Sequence, residues 1–280
     1  MTIMHIDATS CDATPRAMFL SFLRHRHLCW QMTVRDVQQR YRGSALGMLW
    51  SFVTPMLMLG VYTVVFSGIF KARWTGNAEQ STSDVALILF SGLIVHAMLS
   101  ECLSRAPSII LQNSSFVTKV VFPLEILAPM LVLSAIFNFC MSTLILVIGL
   151  LITQGSVPLT ALYLPVVLVP LWLLMLGGAW LLAATGVFLR DIGQMIGLLM
   201  TILLFLSPVF YPTDSLPEMW RTWVYFNPLA FAIEQVRAVL IWGTEPAWRG
   251  MFWHGTFGLV TCFIGFAWFQ RTRKAFADVL

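Results

Sequence analysis

Long stretches without an ionisable side chain divide the chain. Residues 43–70, 126–189 and 192–213 contain no Asp, Glu, Lys, Arg or His, while residues 85–100 carry only His96 and residues 250–270 only His254. A helix crosses about 30 Å of hydrocarbon with about 20 apolar residues. The longest run exceeds one crossing and breaks at Thr153-Gln154-Gly155-Ser156-Val157-Pro158, a turn-forming cluster, so it predicts two helices joined by a hairpin. The run at 85–100 is short, but extends through Glu101 and Cys102 to Ala106. The first run is long enough to tilt or protrude. The pattern predicts six spans. The runs are continuously apolar and lack the alternation, about ten residues at a time, of barrel strands.

Two other segments have patterns of their own. Before the first span, Leu23, Trp30, Val34, Val37 and Tyr41 share a narrow arc at 100° per residue, with Arg24, Arg35, Asp36, Gln39 and Arg42 away from it. This predicts a helix lying in the membrane interface, serving either as an anchor alone or as an anchor that also meets a cytoplasmic partner. Between the fifth and sixth spans, residues 214–249 hold Pro217, Trp220, Trp223, Asn227-Pro228 and then residues 229–242 with Glu234 and Arg237. That stretch is too short and too charged to span, but suits a re-entrant element lining or capping a cavity. Glu234 and Arg237, three apart, can pair on one helix face; the plainer alternative is an outer loop with Trp at headgroup level.

Composition agrees with a lipid solvent. Of 280 residues, 58% are hydrophobic and 11% charged, against about 45–50% and about 25% in soluble domains. The net charge of +4 calls for no nucleic acid, because the basic residues collect at the ends of spans. Of the 17 Lys and Arg, only Lys71, Arg73, Arg221, Arg237 and Arg249 fall outside the segments that a cytoplasmic N-terminus and six spans place inside. The positive-inside rule therefore puts both termini in the cytoplasm. The five cysteines, Cys11, Cys29, Cys102, Cys140 and Cys262, are scattered without a CxxC pair, so neither a disulfide framework nor a zinc site is indicated. The polar and amphipathic residues before the first apolar run are too many for a signal-peptide n-region.

The chemistry of an enzyme is missing. Lys71, Lys119 and Lys274 are the only lysines and none follows a glycine, which excludes a P-loop. HExxH is absent, and the third and fourth spans contain no ionisable residue of the kind pumps carry at mid-membrane. A passive conduit driven from elsewhere fits best. In the first span Phe52, Tyr62, Phe66 and Phe70 fall on one face, a stripe on which sugar rings can stack, or else ordinary packing. Ala179 with Ala183, and Gly193 with Gly197, offer small-residue seams.

Several motifs taken together resemble one family. Arg35-Asp36-Val37-Gln38-Gln39-Arg40-Tyr41-Arg42-Gly43-Ser44-Ala45-Leu46-Gly47-Met48-Leu49-Trp50, with Pro55 and Val61-Tyr62-Thr63-Val64-Val65-Phe66, is similar to the entry to span one in the ABC type-2 permeases that export polysaccharides. Asn113, Phe116-Val117-Thr118-Lys119 and Phe122-Pro123-Leu124-Glu125-Ile126-Leu127 resemble that family's loop between spans two and three. Phe188-Leu189-Arg190-Asp191-Ile192, Leu206-Ser207-Pro208-Val209-Phe210-Tyr211-Pro212, Leu216-Pro217, Trp220 and Phe226-Asn227-Pro228-Leu229 resemble its fifth span and outer loop. The matches run in the family's order over nearly the whole chain beyond residue 30.

The resemblance implies an all-α integral membrane protein of the bacterial inner membrane. A cytoplasmic segment (1–44) bears the amphipathic interface helix, a six-helix transmembrane domain follows (45–270), with two short re-entrant helices before the last span, and a cytoplasmic tail (271–280) ends the chain. It implies a homodimer joined to two copies of a separate nucleotide-binding ATPase, which would use ATP and Mg; this chain would need no cofactor and catalyse nothing. Trp30, Val34, Val37 and Tyr41 with Arg105, Asn113, Phe116 and Lys119 would form the ATPase-coupling surface. Spans one and five would line the channel, which includes the stripe of Phe52, Tyr62, Phe66 and Phe70. Pro208, Tyr211, Pro212, Pro217, Trp220, Asn227, Pro228, Glu234 and Arg237 would belong to the outer gate. The implied cargo is a lipid-linked polysaccharide (O-antigen, capsule or teichoic acid, with the entry motif closest to the O-antigen type). The alternatives are a same-fold exporter of small amphiphiles or drugs, a membrane enzyme on lipid-linked sugars using Glu101, Glu125 or Asp191, and a channel with no ATPase.

Overall fold

The computed structural model describes residues 14–69, 74, 82–118 and 122–279, and every described element is helical. In lipid each backbone N–H and C=O must find a partner within the protein, and a helix supplies nearly all of them internally. The elements are α1 (Pro15–Tyr41), α2 (Trp50–Tyr62) continued by a π-helical turn (Thr63–Ile69), α3 (Thr82–Arg105), the short α4 (Ile109–Gln112) and α5 (Ser115–Thr118), α6 (Leu127–Gln154), α7 (Leu164–Phe188), α8 (Ile192–Leu206), α9 (Glu218–Phe226), α10 (Pro228–Arg237), α11 (Trp248–Thr272) and α12 (Phe276–Val279).

Among the described residues, five stretches are long and apolar enough to cross a membrane: Gly47–Phe66, Asp84–Gln112, Leu124–Gln154, Leu159–Phe188 and Trp248–Val279. The long apolar run breaks where the sequence predicts, with Gly155 in the left-handed region (φ 75°) capping α6. The expected fifth span is shorter than its uncharged run. α8 ends at Leu206, and Ser207 is extended (ψ 154°). Pro208 follows it, and the residue before a proline is pushed out of the helical region. At 1.5 Å per residue, its 15 residues reach about 22 Å, less than the hydrocarbon.

α9 and α10 follow and meet at 93°. Thr213 Oγ1, just before α9, donates to Glu234 Oε1 on α10 at 2.9 Å. After α10, Thr160 Oγ1 of the α6–α7 hairpin donates to the Val239 carbonyl at 2.8 Å. Tyr163 and Trp248 meet edge-on at 5.8 Å. The pair thus leaves from and returns to the hairpin end of the bundle, as a re-entrant element does. At the opposite end lie α1, α4, α5 and α12, and Phe188 packs against Phe276.

Helix contact in lipid is driven by packing rather than by exclusion of water, so the places where backbones touch matter most. α7 and α11 meet at glycines. A Cβ on Gly265 would lie 2.0 Å from the Gly177 carbonyl oxygen, and one on Gly177 would lie 2.4 Å from that of Thr261. Ala179 and Ala183 are buried, as a seam requires. Gly193 and Gly197, by contrast, have nothing within 4 Å of where a Cβ would stand, so this second seam joins nothing within the subunit.

Candidate functional site

At the α1 end, polar side chains tie the interface helix to the spans. Arg105, at the end of α3, donates to Asp36 through both terminal nitrogens, Nη2 to Oδ1 at 2.5 Å and Nη1 to Oδ2 at 3.0 Å. Arg40 donates to Glu101 Oε1 at 2.5 Å. Asn138 Nδ2 of α6 donates to both Glu101 oxygens, at 2.9 and 2.8 Å, and its Oδ1 accepts from Tyr41 Oη at 3.4 Å. Three helices therefore share one charged cluster. Burial alone would raise the Asp36 carboxyl, but the hydrogen bonds and charge of Arg105, with Arg40, hold it below the ordinary carboxylate range. For Arg40 burial pulls downward, and Glu101 outweighs it to raise the guanidinium. Burial raises the Tyr41 phenol.

A second cluster lies nearby. Glu125 accepts from Ser21 Oγ of α1 at 2.9 Å and from Arg273 Nη1 at 2.9 Å. The Glu125 carbonyl accepts from the buried Trp180 Nε1 at 2.8 Å. α1, the head of α6, α7 and the tail are thereby joined.

The residues of the expected coupling surface divide between roles. Trp30 is 63% exposed and Val37 only 6%, with Val34 and Tyr41 between. The packed side therefore overlaps the apolar arc at Val37 and takes in Met18, Ser21, Cys29, Met32, Thr33 and Asp36 as well, leaving Leu23 and Trp30 outward. Asn113 Nδ2 donates to the Ile109 carbonyl at 2.9 Å, and the Asn113 carbonyl accepts from the Phe116 amide. Phe116 stacks on Phe122 at 4.4 Å. A cleft of about 190 Å³ lined by Met32, Arg35, Asp36, Gln39 and Asn113, among others, lies between α1 and α4, so the fold brings these two segments together. Lys119 lies outside the described residues.

Of the aromatic stripe, Phe52 is half-buried, while Tyr62 and Phe66 pack on the core. Phe66 stacks on Phe210 at 6.2 Å, and Phe210 meets Phe205 at 5.8 Å. The stripe thus continues from the end of span one onto the segment where α8 stops. Phe70 lies outside the described residues.

The re-entrant end is built around Arg237, fully buried at 0% exposure. Its Nη1 donates to the Pro208 carbonyl at 2.6 Å, Nη2 to Val209 at 3.0 Å, and Nε and Nη2 to Ile88 at 3.3 and 3.2 Å. Trp74 lies over the guanidinium at 4.4 Å. The expected pairing with Glu234 exists, at 3.5 Å, but the backbone carbonyls of two other segments are its nearer partners. Gly92 permits this, since a Cβ there would come within 2.8 Å of Arg237 Nη2.

Asn227 caps α10 by accepting from the amides of Leu229 and Ala230, with Pro228 as the first helical residue, and its Nδ2 donates to Ser207 Oγ at 3.0 Å. Tyr211 Oη reaches the Phe205 carbonyl at 3.2 Å. Pro212 and Pro217 place carbonyls that accept from Ser215, and from Trp220 and Arg221 respectively. α10 is almost wholly buried, whereas on α9 Trp220, Trp223 and Phe226 are exposed. Among the described residues, no three His, Cys, Asp or Glu side chains group to hold a metal ion.

Sequence reasoning missed the Asp36–Arg105 pair, whose members stand far apart in the chain, and the carbonyl partners of Arg237. The Ser207-Pro208 dipeptide was the available signal for the early end of α8.

The comparisons agree with this architecture. Residues 27–241 match the family described as ABC-2 type transporter. The chain is 27% identical over 258 residues to an O-antigen export system permease protein RfbA of Myxococcus xanthus, covering 91% of this chain and 96% of the relative. It is 21% identical over 261 residues to an O-antigen export system permease protein RfbA of Klebsiella pneumoniae, covering 89% and 93%. It is 22% identical over 245 residues to a polysialic acid transport protein KpsM of Escherichia coli, covering 86% and 92%.

Proposed function

The chain belongs to the ABC-2 type transporter family, and on that premise we propose that it is the membrane permease of a polysaccharide exporter, with O-antigen as the cargo. The observation that carries this reading is the similarity to an O-antigen permease across 91% of the chain. A polar polymer cannot cross hydrocarbon unaided, so the reading requires a continuous wet path. Among the described residues, the exposed apolar face of α8, with Met195, Leu198, Ile202 and Phe205, supports a second copy of the chain as the partner that completes this path.

In this reading the protein sits in the bacterial inner membrane with both termini in the cytoplasm. Two copies pair with two copies of an ATPase subunit, which supplies ATP hydrolysis with Mg. Closure of the ATPases pushes on α4 and α5. The bidentate Asp36–Arg105 pair and the Glu101 cluster carry that push into α1, α3 and α6 as one body. The aromatic run from Tyr62 through Phe66 to Phe210 offers ring faces to sugars moving outward. The α9–α10 pair closes the outer end, with α10 held by Arg237 and α9 as the arm with fewer attachments. An exporter of small amphiphiles would share the fold, but no observation favours it.

The experiment deletes the gene in its host and compares surface glycan with the cytoplasmic pool on gels. Loss from the surface with lipid-linked polymer retained inside is expected. An unchanged surface glycan with altered sensitivity to small amphiphiles overturns the polysaccharide reading.

A further inference from the structure

The loop between α3 and α6 carries α4 and α5, and both of its limbs are pinned to one wall. On the outgoing limb, a Cβ on Gly186 of α7 would lie 2.1 Å from the Pro107 carbonyl oxygen, so the two backbones touch. On the return limb, Arg273 Nη2 donates to the Phe122 carbonyl at 3.3 Å and its Nη1 to Glu125 Oε2 at 2.9 Å. Arg273 opens the short helical turn Arg273–Ala275 that follows α11, and α11 is joined to α7 through Gly177 and Gly265. The loop thus leaves from, and returns to, the α7–α11 pair.

The tail beyond Arg273 is seated on the same wall. Phe276 is fully buried, with Phe269 of α11 at 5.6 Å and Phe188 of α7 at 6.0 Å. α12 packs against α5, and Phe116 of α5 stacks on Phe122, the residue whose carbonyl Arg273 holds. The spans have other attachments. Trp180 Nε1 already fixes the Glu125 carbonyl to α7, and Ser21 donates to the Glu125 carboxylate. The Arg273 side chain keeps 25% of its surface exposed, and an ion pair reachable by water contributes little to stability. What Arg273 adds is stiffness in the return limb of the loop.

We propose that Arg273 and Phe276 are positioning residues for the α4–α5 loop, the tail acting as the stop that keeps its return limb from yielding. This rests on the reading above, in which an ATPase pushes on that loop. With the stop in place the displacement passes into the spans. Without it the return limb gives way, and nucleotide turns over with less transport.

The test pairs export in the host with nucleotide binding by the purified permease–ATPase complex. Arg273→Gln lowers surface glycan about 3- to 10-fold, the scale of coupling carried by residues that touch neither site. Closing the ATPases against a stiff loop opposes ATP binding, so by linkage a loop that yields raises the affinity for ATP. The Arg273→Gln complex therefore binds the non-hydrolysable analogue AMP-PNP about 3-fold tighter than the wild type. The ATPase still copurifies and the melting temperature is unchanged, which separates a stop from a staple of the fold. Arg273→Lys, which keeps the pair but not the fork, and Phe276→Leu lie between. Arg271 and Lys274 are exposed and form no ion pair among the described residues; Arg271→Gln and Lys274→Gln leave both readouts unchanged.

Unchanged AMP-PNP affinity in Arg273→Gln overturns the proposal. So does an equal effect of Lys274→Gln, which reduces the result to surface charge. Loss of the ATPase from the variant complex overturns it by making the tail part of that contact. Loss of folded complex in Arg273→Lys and Phe276→Leu as well overturns it by making the tail a staple. Where gene deletion removes surface glycan, normal export by Arg273→Gln also overturns the stop and leaves the exporter standing. Where deletion leaves the glycan unchanged, the exporter reading falls, and tighter AMP-PNP binding by Arg273→Gln keeps the stop.

Discussion

Arg237 Nη1 lies 2.6 Å from the carbonyl oxygen of Pro208, so a side chain of the second re-entrant helix holds the backbone where α8 breaks. The same guanidinium reaches Val209 and, across the bundle, Ile88 of α3. Ile88 is six residues along α3, about 9 Å from its start. The junction is therefore buried within the bundle, where an unpaired carbonyl is costly. Arg237→Leu removes the donors to the Pro208 and Val209 carbonyls and leaves Ile88 with Ser91 Oγ. Stability in detergent falls by about 3–5 kcal/mol, the scale for breaking a buried charged arrangement, and surface glycan falls with it. Arg237→Lys keeps the charge but not the fork and loses less. Gly92→Ala reproduces a milder form, because its methyl group meets Arg237 Nη2. Thermal unfolding of the three variants checks the order.

The Asp36–Arg105 pair sets a pH dependence. The folded-state pKa of Asp36 is depressed, below the unfolded value of about 3.9. Its stabilising contribution is thus fully present above that value and is lost as pH falls through the folded pKa. Limited proteolysis within α1 should be flat from pH 5 to 8 and rise only in more acid conditions. Asp36→Asn should abolish this acid-side rise and leave α1 cleavable at neutral pH. Exchanging the charges, Asp36→Arg with Arg105→Asp, should restore part of the protection that either single change removes, since the two side chains meet directly.

The glycine contacts predict two kinds of outcome. Gly265→Val places a side chain against the Gly177 carbonyl and cannot be accommodated without parting α7 from α11, so folded protein should be lost from the membrane fraction. Gly193→Val and Gly197→Val meet nothing within the subunit and should leave the folded chain abundant. Reduced dimer on native gels in those two variants alone would assign the face to a subunit contact; unchanged dimer removes it from that role.

Cys29 gives a chemical check on how α1 packs. It is 2% exposed, and burial pushes its thiol up to about 11, with Thr33 opposing the shift only in part. At pH 7.5 little thiolate is present, and maleimide should label Cys29 slowly. Trp30→Cys, one position on and facing outward, should label at least 10-fold faster. Comparable rates would mean that α1 does not pack on this side.

The sequence made the scaffold legible because a lipid solvent allows few choices. Uninterrupted apolar runs, the 153–158 break and the basic termini follow from the cost of exposing backbone and charge. The re-entrant pair was legible from Asn227-Pro228 and from a stretch too short and too charged to span. What stayed hidden depends on partners that leave no pattern. Arg237 bonds backbone carbonyls, which every residue possesses, and so its periodicity suggested only Glu234. The apolar arc of α1 indicated the interface helix, but not that Asp36 and Ser21, which read as polar, tie it to the bundle. The seam at Gly177 and Gly265 joins helices distant in the chain and so leaves no short-range spacing to read, unlike Gly193 and Gly197.

Transport of a lipid-linked polysaccharide across a bilayer by this chain and an ATPase, the function we propose, is tested most directly by reconstituting the two subunits in proteoliposomes, adding lipid-linked glycan and ATP outside, and following protection of the polymer from an external glycosidase. Protection should need both subunits and hydrolysable ATP, and should slow in Phe66→Ala or Tyr62→Ala. Polymer that stays fully digestible while a small amphiphile accumulates in the same vesicles would contradict that function.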